Sequence, residues 1–397
     1  MSVDPPATLT PHLGPRSQGL IRLLYAGFDG LDVAFQGRLS DIALALLADA
    51  RTEAESINGP VAREMNGLRF TAAPSGARNG FRYRLDTGDD GEVCLIKHSR
   101  DARQPNLFVS VKSFALLTRG YAGVKQRLQE RLAQLEATVL DARPNRVDFA
   151  CDLDAPGFEP EPNCFVAPAR TRARSYHPGD GAREEERVEV HRLARRVNGV
   201  TIGRMPGRQL CLYDKRADSL LKRKLYWPVV WGLDLAERQE PVWRVEVRAA
   251  REEIKMRWRV RSFAELESRL VEIVLSNLSK TRYVLPSAFD TNPSRWPTHP
   301  LWGAARAYMA QAIESHAFAP VPPRNDLPTP RLVKRDELWR QLIGLAVTCC
   351  ALEGFSADRA SELPGLVAAK IREAERARPG LLDEKLARAR TLHGVLD

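Results

Sequence analysis

Polar and apolar residues alternate along several segments of the first 285 positions, with the two-residue period that is typical of β-strands. Single segments with this pattern lie at 23–35, where glycine interrupts it, and at 107–112, 144–152 and 242–248. The ranges 80–98 and 199–215 each contain two alternating runs around a polar turn, and each predicts a β-hairpin. Such strands bury their apolar face against a core and leave the other face polar.

Apolar residues at helical spacing predict helices between and after these strands. Ser40 is a suitable N-cap for a helix that ends near residue 54. Ser262 and Glu265 have the spacing of a capping box at the start of another helix. Further helices are predicted over 124–137, over 302–313 and from residue 334 onward.

The predicted elements divide the chain into four regions. Residues 1–19 are expected to be a flexible lead-in. Residues 20–285 predict an α+β domain, an antiparallel sheet packed on helices, with a basic insertion at 154–198 that is expected to be a long loop or partly ordered. A Pro-rich linker region with a short helix follows over 286–330, and 331–397 is a helical C-terminal region.

Composition and charge narrow the class of protein. Hydrophobic residues make up 44% of the 397 positions, enough to bury a core, so wholesale disorder is not expected. Lys and Arg number 60 against 50 Asp and Glu, which gives a formal net charge of +10. An excess of this size favours an anionic partner, most often nucleic acid, although many basic proteins bind none.

Cysteine usage and the apolar runs indicate a cytoplasmic protein. The six cysteines form no CxxC pair, which disfavours a structural zinc site and fits a reducing compartment. The N-terminus lacks the basic-then-apolar pattern of a secretion signal. The longest apolar run, 342–352, is too short to cross a bilayer, so no membrane partner is expected.

Several common catalytic motifs are absent from the sequence. It contains no P-loop, no HExxH and no GxSxG. The seven histidines include no HxH pair, which disfavours a nuclease built on a paired-histidine metal strand. A metal ion would therefore be held by carboxylates, and such ligands suit Mg²⁺ or Mn²⁺.

Three predicted strands carry chemically capable side chains on the face opposite their apolar residues. These side chains are Arg146, Asp148 and Asp152 in the first strand, Tyr213 and Lys215 in the second, and Arg244, Glu246 and Arg248 in the third. Taken singly, Asp148 or Glu246 is better explained as a solvated or cross-strand-paired carboxylate, and Tyr213 as a packing tyrosine. The combination is less easily accidental, and a functional polar surface is the competing interpretation.

Four segments, in their order along the chain, resemble the replication initiation factor family. They are RVDFACDLD (146–154), TIGR (201–204), LCLYDK (210–215) and VWRVEVR (242–248). This family is the Rep-trans class of rolling-circle replication initiators of plasmids and phages, which is related to conjugative relaxases. The resemblance covers roughly residues 20–285, and the chain departs from the compact pattern in its insertion and its helical C-terminus.

The resemblance implies a metal-dependent enzyme that nicks and rejoins DNA at an origin. Tyr213 would attack a phosphodiester, leaving a 5′-phosphotyrosine and a free 3′-OH primer. Asp148 and Glu246 would hold Mg²⁺ or Mn²⁺, with Asp152 as a weaker third ligand. Lys215 would stabilise charge on the phosphoryl oxygens. The implied partner is origin DNA that is single-stranded at the nick, and a host helicase and a second copy of the chain are candidate partners.

The sequence allows alternatives for the nucleophile, the DNA contacts and the function. Tyr226 is a second candidate nucleophile, because it lies in a segment where basic and aromatic residues interleave. The candidate DNA contacts are Arg146, Arg244, Arg248, Lys222, Arg223 and Lys224, and the Arg-rich run at 169–174 is a further candidate. A conjugative relaxase of the same fold and a non-catalytic DNA-binding regulator are the alternative functions.

Overall fold

The computed structural model describes residues 20–168, 171–173, 186–193, 196–234 and 238–392. Its strands are β1 (Arg22–Leu39), β2 (Val61–Met65), β3 (Leu68–Ala72), β4 (Tyr83–Asp86), β5 (Glu92–Ile96), β6 (Pro105–Val111), β7 (Ala137–Asp154), β8 (Phe165–Val166), β9 (Thr171–Ala173), β10 (Glu186–Leu193), β11 (Arg196–Arg204), β12 (Arg208–Asp214), β13 (Val242–Ala250) and β14 (Arg282–Tyr283). Its α-helices are α1 (Asp41–Ser56), α2 (Ser113–Gln134), α3 (Lys215–Leu221), α4 (Tyr226–Trp231), α5 (Phe263–Lys280), α6 (Pro300–Ser315), α7 (Pro330–Leu352), α8 (Leu363–Ala377) and α9 (Leu381–Leu392).

Within the described residues, twelve strands form one sheet in the order β2-β3-β4-β5-β6-β1-β7-β13-β12-β11-β10-β9. Every neighbouring pair is antiparallel except β9 and β10. The two 18-residue strands, β1 and β7, pair with each other at the centre. The predicted α+β fold, an antiparallel sheet with helices and a helical C-terminal region, is therefore confirmed.

One face of this sheet packs against helices to form the main core. The alternating apolar residues of β7 and β13 are almost fully buried there: Val147, Phe149, Cys151, Val245 and Val247. Helices α1, α2, α5 and α6 contribute the opposing side chains. Because strand side chains alternate, burial of this set directs the polar residues of the same strands to the other face.

Side-chain caps begin two of the helices at the predicted residues. Ser40 accepts a hydrogen bond from the Ala43 backbone N–H at 3.0 Å and starts α1. Ser262 and Glu265 form the predicted capping box at the start of α5. Each cap pairs a backbone N–H that the helix itself leaves without a partner.

One strand end differs from its prediction in a way that affects the site. The prediction extended the second hairpin through Lys215, but β12 ends at Asp214. The Asp214 side chain accepts a hydrogen bond from the Ala217 N–H at 3.1 Å, so it caps α3 and makes Lys215 the first helical residue. The prediction that Lys215 shares a strand face with Tyr213 is therefore wrong. Lys215 lies at the start of α3, just beyond the strand.

The sequence patterns missed several short strands. Strands β2 and β3 form a hairpin around Asn66 and Gly67, which both have positive φ angles. Within the insertion at 154–198, expected to be a loop or partly ordered, the structure contains β8, β9, β10 and the start of β11. The predicted flexible segment 1–19 lies outside the described residues, as does part of the Arg-rich run at 169–174.

Helix α6 and the segment after it pack on the α+β core. Leu301, Ala305 and Met309 of α6 are completely buried against the sheet and α5. Leu327 is buried in a smaller cluster with Phe114, in which Tyr226, Trp227, Trp231 and Val242 also lie. The domain boundaries stay a prediction, but the Pro-rich region contributes side chains to the core.

The C-terminal helices leave many apolar side chains in solvent. Trp339, Ile343, Leu345 and Leu352 of α7 are more than half exposed. Among the described residues, no helix is both long and apolar enough to cross a membrane.

A core substitution in α6 tests whether this helix is integral to the fold. We expect Met309→Ala to lower the free energy of unfolding by about 2 to 5 kcal/mol, because it leaves a cavity in the core. The matched change Leu352→Ala, at an exposed position, should alter it by about 0.5 kcal/mol or less. Urea denaturation of the full chain measures both, and equal small effects would contradict the packing of α6.

Candidate active site

Three rows of cross-strand neighbours lie on the polar face of the sheet, across β1, β7, β13, β12 and β11. In that strand order the first row is Tyr25, Asp152, Arg244, Tyr213 and Gly199; the second is Gly27, Ala150, Glu246, Cys211 and Thr201; the third is Gly30, Asp148, Arg248, Gln209 and Gly203. Arg146 lies in the next row, opposite Asp32. The structure thus brings the polar residues of three distant segments onto one face of the sheet, where Asp148, Glu246 and Arg244 are buried.

The Tyr213 hydroxyl lies between a carboxylate and an ammonium group. It donates a hydrogen bond to Oε2 of Glu246 at 3.0 Å, and Nζ of Lys215 lies 3.4 Å from its oxygen. Lys215 also contacts Asp218 at 3.2 Å. A hydroxyl with a base on one side and a cation on the other has the arrangement of an activated nucleophile.

Local electrostatics keep the Tyr213 hydroxyl protonated. Burial, together with the charge of Glu246, raises the pKa of Tyr213 well above its usual value. Burial and Arg244 lower the pKa of Lys215, although Asp29 opposes them. Tyr213 therefore needs a proton acceptor at the moment of reaction, and Oε2 of Glu246 is within hydrogen-bond distance.

Asp148 and Glu246 form a carboxylate pair on adjacent strands, and each is also held by an arginine. Arg146 donates two hydrogen bonds to Asp148, at 2.8 and 2.6 Å, and Arg248 donates two to Glu246, at 2.8 and 3.0 Å. Burial and the charge of Glu246 raise the pKa of Asp148 to about 7, although the hydrogen bonds from Arg146 oppose this. The arginines orient both carboxylates without cancelling the repulsion between them.

The chemistry of this pair fits a divalent cation with oxygen ligands. Two carboxylates that repel each other gain from a shared cation, and Mg²⁺ is commonly bound by one or two carboxylates plus waters and substrate phosphate. Gly30 of β1 is the cross-strand neighbour of Asp148. A Cβ on Gly30 would lie 2.7 Å from Oδ2 of Asp148, which is too close for a side chain. In the described part of the chain, no group of three or more His, Cys, Asp or Glu is arranged to hold a metal ion.

Asp152 and Arg244 form a buried ion pair at the inner end of the site. Arg244 is 0% exposed and donates to both oxygens of Asp152, at 2.5 and 2.7 Å, and to Asp29 at 2.7 Å. Trp231 donates a further hydrogen bond to Asp152 at 2.9 Å, and the Arg244 guanidinium lies 4.2 Å from the ring centre of Trp227. The structure places Asp152 with Arg244 rather than with the Asp148–Glu246 pair.

The sequence patterns missed Asp29, the second carboxylate of this ion pair. Asp29 occupies a β-bulge of β1, where the register with β7 shifts between Phe28 and Gly30. Burial opposes its ionisation, but Arg244 and Lys215 outweigh burial and hold the pKa of Asp29 below its usual value. The available signal was the glycine-flanked run 27–30 inside an apolar strand, because glycine in a strand often marks a bulge.

The other predicted residues surround this centre. Lys222 is exposed and bonds Asp218 at 2.6 Å, while Arg223 is exposed and pairs with Glu337 of α7. Tyr226 is buried with Trp227 and Phe114, and its hydroxyl lies 3.4 Å from that of Ser113. Burial raises the pKa of Tyr226 to about 12. Lys224 is half-buried near Asp29, whose carboxylate it helps to stabilise.

No protein-family model matches the chain. The chain is 27% identical over 247 residues to the uncharacterized protein ORF430 of Pseudomonas phage Pf1, a match that covers 57% of this chain and 53% of that protein. It therefore spans about half the length of this curated relative. Among solved structures, it is similar to a rolling-circle replication initiator protein from Geobacillus stearothermophilus, with a TM-score of 0.40, 14% identity, and coverage of 72% of this chain and 96% of that one. Neither similarity assigns a family or an activity to this chain.

The Arg244 ion pair predicts a large loss of stability when the arginine is removed. Arg244→Leu leaves Asp29 and Asp152 buried without their counterion, and we expect it to cost about 3 to 5 kcal/mol of unfolding free energy. Adding Asp29→Asn and Asp152→Asn should recover part of that loss, because the uncompensated charges are then gone. Urea denaturation checks both, and a loss below about 1 kcal/mol for Arg244→Leu would contradict this role.

The Asp148 carboxyl predicts a pH-dependent stability. Its pKa is about 7 in the folded chain and about 3.9 when unfolded, so its favourable contribution is complete below pH 4 and is lost as the pH rises through 7. Relative to Asp148→Asn, the metal-free protein should lose up to about 1.4 kcal/mol of unfolding free energy per pH unit in that window. Denaturation of both proteins in EDTA from pH 5 to pH 8 measures this, and a difference independent of pH would refute the pKa shift.

Proposed function

We propose that this chain is a DNA strand-nicking and strand-joining enzyme that starts rolling-circle replication, with Tyr213 as its nucleophile. The observation that carries the proposal is the placement of the Tyr213 hydroxyl between Glu246 and Lys215, on the same polar surface as Asp148. The order of the four sequence motifs that resemble replication initiation factors supports the same function.

The first step moves the phenolic proton. Tyr213 remains protonated in the free protein, because burial raises its pKa. Oε2 of Glu246 accepts that proton as the phenolic oxygen attacks the phosphorus of a bound phosphodiester. Lys215, which lies 3.4 Å from the same oxygen, stabilises negative charge on the tyrosine oxygen and on the phosphoryl group.

The reaction is an in-line phosphoryl transfer, in which one bond to phosphorus forms and one breaks. A bond forms between the Tyr213 oxygen and phosphorus, and the bond from phosphorus to the 3′ oxygen breaks. The departing 3′ oxygen takes a proton from water and becomes the free 3′-OH primer. The 5′ phosphate stays on Tyr213 as a phosphotyrosine, so a later attack by a 3′-OH reverses the same steps and rejoins the strand.

Asp148 and Glu246 are the residues that would hold Mg²⁺ or Mn²⁺. Such an ion, when bound, supplies Lewis-acid stabilisation of the phosphoryl oxygens. Arg146 and Arg248 keep the two carboxylates oriented toward the site. We assign Asp152 to the ion pair with Arg244, whose buried guanidinium positions the strands and does not meet DNA.

The cations that reach solvent around the site are suited to hold the DNA strand. The Arg146 and Arg248 side chains are 32% and 28% exposed, and Lys222 and Arg223 are more exposed still. Lysine and arginine bind phosphates with loss of counterions, so DNA affinity should fall steeply with added salt. The bound substrate is expected to be single-stranded at the nick, because the attacked phosphate must reach a half-buried hydroxyl.

A covalent-adduct assay tests the proposal. The full chain is incubated with supercoiled DNA that carries the sequences flanking its own gene, with Mg²⁺ or Mn²⁺ or with EDTA, and protein-linked DNA is separated in denaturing gels. We expect the wild type to relax the DNA and to form an adduct only with a metal ion. Tyr213→Phe deletes one oxygen, so it should bind DNA normally but form less than about a thousandth of the adduct.

Matched variants make the assay decisive. Tyr226→Phe makes the same change at a buried tyrosine and should keep the adduct. Glu246→Gln and Asp148→Asn should each reduce nicking strongly while DNA binding persists, because removing a carboxylate does not weaken attraction for phosphate. An adduct that survives in Tyr213→Phe but disappears in Tyr226→Phe would move the nucleophile to Tyr226. A wild type that binds this DNA but never forms an adduct would favour the non-catalytic regulator.

A further inference from the structure

A further row of side chains crosses the polar face of the sheet, one row beyond Arg146. Cross-strand neighbours place Arg143, Ala34, Phe108, Leu95 and Arg84 side by side on β7, β1, β6, β5 and β4. Their sequence neighbours point the other way and are buried in the core: Val33, Phe35, Leu107, Val109, Cys94, Ile96, Tyr83 and Leu85. We call this row, together with Phe81 and Lys97 beside it, the distal row.

The middle of the distal row is apolar and half-buried rather than sealed. Phe108, Leu95 and Ala34 are all partly accessible to solvent, and they do not belong to the main core. Phe81 is also half-buried, and its ring centre lies 6.2 Å from that of Phe108. The two ring planes are tilted by 56° to each other, so each ring offers its own face for stacking with a planar group.

Cations surround these rings without matching carboxylates. Nζ of Lys97 lies 5.2 Å from the centre of the Phe81 ring, and Arg82 and Arg84 are exposed nearby. Within the described part of the chain, none of these three cations has an acidic side chain within 4.0 Å. The local surface therefore attracts anions.

The carboxylates of the same face are already engaged. Asp86 is bound by Lys112 at 2.6 Å, and Asp141 by Arg143 at 2.5 Å. Asp32 accepts a hydrogen bond from Ser110 at 2.6 Å, and burial raises its pKa. The acidic residues of this face thus leave the positive charge of Lys97, Arg82 and Arg84 largely uncompensated.

The distal row is continuous with the candidate active site. Arg146 and Asp148 are two residues apart on β7 and share a face, and Arg146 is opposite Asp32, which is two residues from Ala34 on β1. Two strand spacings of about 4.8 Å and four rises of about 3.3 Å put Phe108 roughly 16 Å from Asp148. A strand bound at the active site can therefore extend over the distal row within several nucleotides.

We propose that the distal row is a binding surface for single-stranded DNA, with bases stacked on Phe81 and Phe108 and phosphates paired with Lys97, Arg82 and Arg84. Stacking on aromatic rings requires exposed base faces, which a duplex does not offer, and an anionic strand matches the uncompensated cations. The proposal rests on the proposed function only for the path of the DNA, which would run to this surface from the phosphate at Tyr213.

A binding titration tests this surface separately from nicking. The full chain is titrated against a fluorescein-labelled oligothymidylate of about twenty nucleotides and against a duplex of equal length, in EDTA. We expect the double variant Phe81→Leu with Phe108→Leu to weaken single-strand binding about tenfold or more, because stacked bases are lost. Duplex affinity should change less than about twofold, since the paired bases do not stack on protein. Phe289→Leu, at a fully exposed ring elsewhere, is the matched control and should change neither.

A second double variant, which removes charge instead of aromatic rings, tests the same surface in case the aromatic variant folds poorly. Arg84→Gln with Lys97→Gln removes two cations at accessible positions and should lower the slope of log affinity against log salt by about 1.4 for the single strand. Arg306→Gln with Arg331→Gln removes the same charge on exposed positions of α6 and α7 and should leave that slope within error. Thermal unfolding of each variant verifies that the fold is retained.

Each remaining outcome decides the proposal. Unchanged single-strand affinity in both double variants would overturn it. Equal losses for single strand and duplex would show a surface for the duplex backbone instead. A change in sedimentation mass without a change in DNA binding would show an interface between copies of the chain. If the double variants lose single-strand affinity but the wild type never forms an adduct, the binding surface is upheld and the proposed function fails. If the wild type forms an adduct but the double variants keep their single-strand affinity, the proposed function is upheld and the binding surface fails.

Discussion

The buried charge of Arg244 is the constraint on which the site depends. A guanidinium that is 0% exposed is stable only because three hydrogen bonds tie it to Asp152 and Asp29, with an aromatic ring of α4 against its face. These contacts join β1, β7, β13 and α4 at one point. Tyr213 is the cross-strand neighbour of Arg244, so the position of the candidate nucleophile follows from this ion pair.

The sequence predicts the parts of this protein that depend on local pattern. Ser40 and the Ser262–Glu265 box start their helices as predicted, because a cap needs only residues three positions apart. The alternation in β7, β12 and β13 puts the polar residues on one face, because period two fixes the facing of every side chain. Missed features depend on distant contacts: the bulge at Asp29, the pairing of Asp152 with Arg244, and the buried packing of α6. The alternation pattern extends β12 one residue too far, because the Asp214 side chain ends the strand by capping α3.

The polar face of the sheet carries different side chains at its two ends, the candidate active site and the distal row. At the active-site end, carboxylates and arginines are paired, and the charge of each group is set by its neighbours. At the distal row, the rings of Phe81 and Phe108 lie near three cations, Lys97, Arg82 and Arg84, none of which has an acidic side chain within 4.0 Å among the described residues. A continuous sheet holds both at fixed spacing, since strand positions are locked by backbone hydrogen bonds. Binding along the strand and reaction at one phosphate are thus compatible with a single rigid scaffold.

Mass-spectrometric mapping of the protein–DNA adduct tests the central claim most directly. The wild-type chain is allowed to react with supercoiled DNA, the DNA is digested with nuclease, and tryptic peptides that carry a residual nucleotide are identified. Cleavage after Arg208 and Lys215 releases Tyr213 in the peptide 209–215, whereas Tyr226 lies in the peptide 225–238. The account predicts a nucleotide on Tyr213 in the peptide 209–215. A nucleotide on the peptide 225–238, or on any other residue, would contradict it.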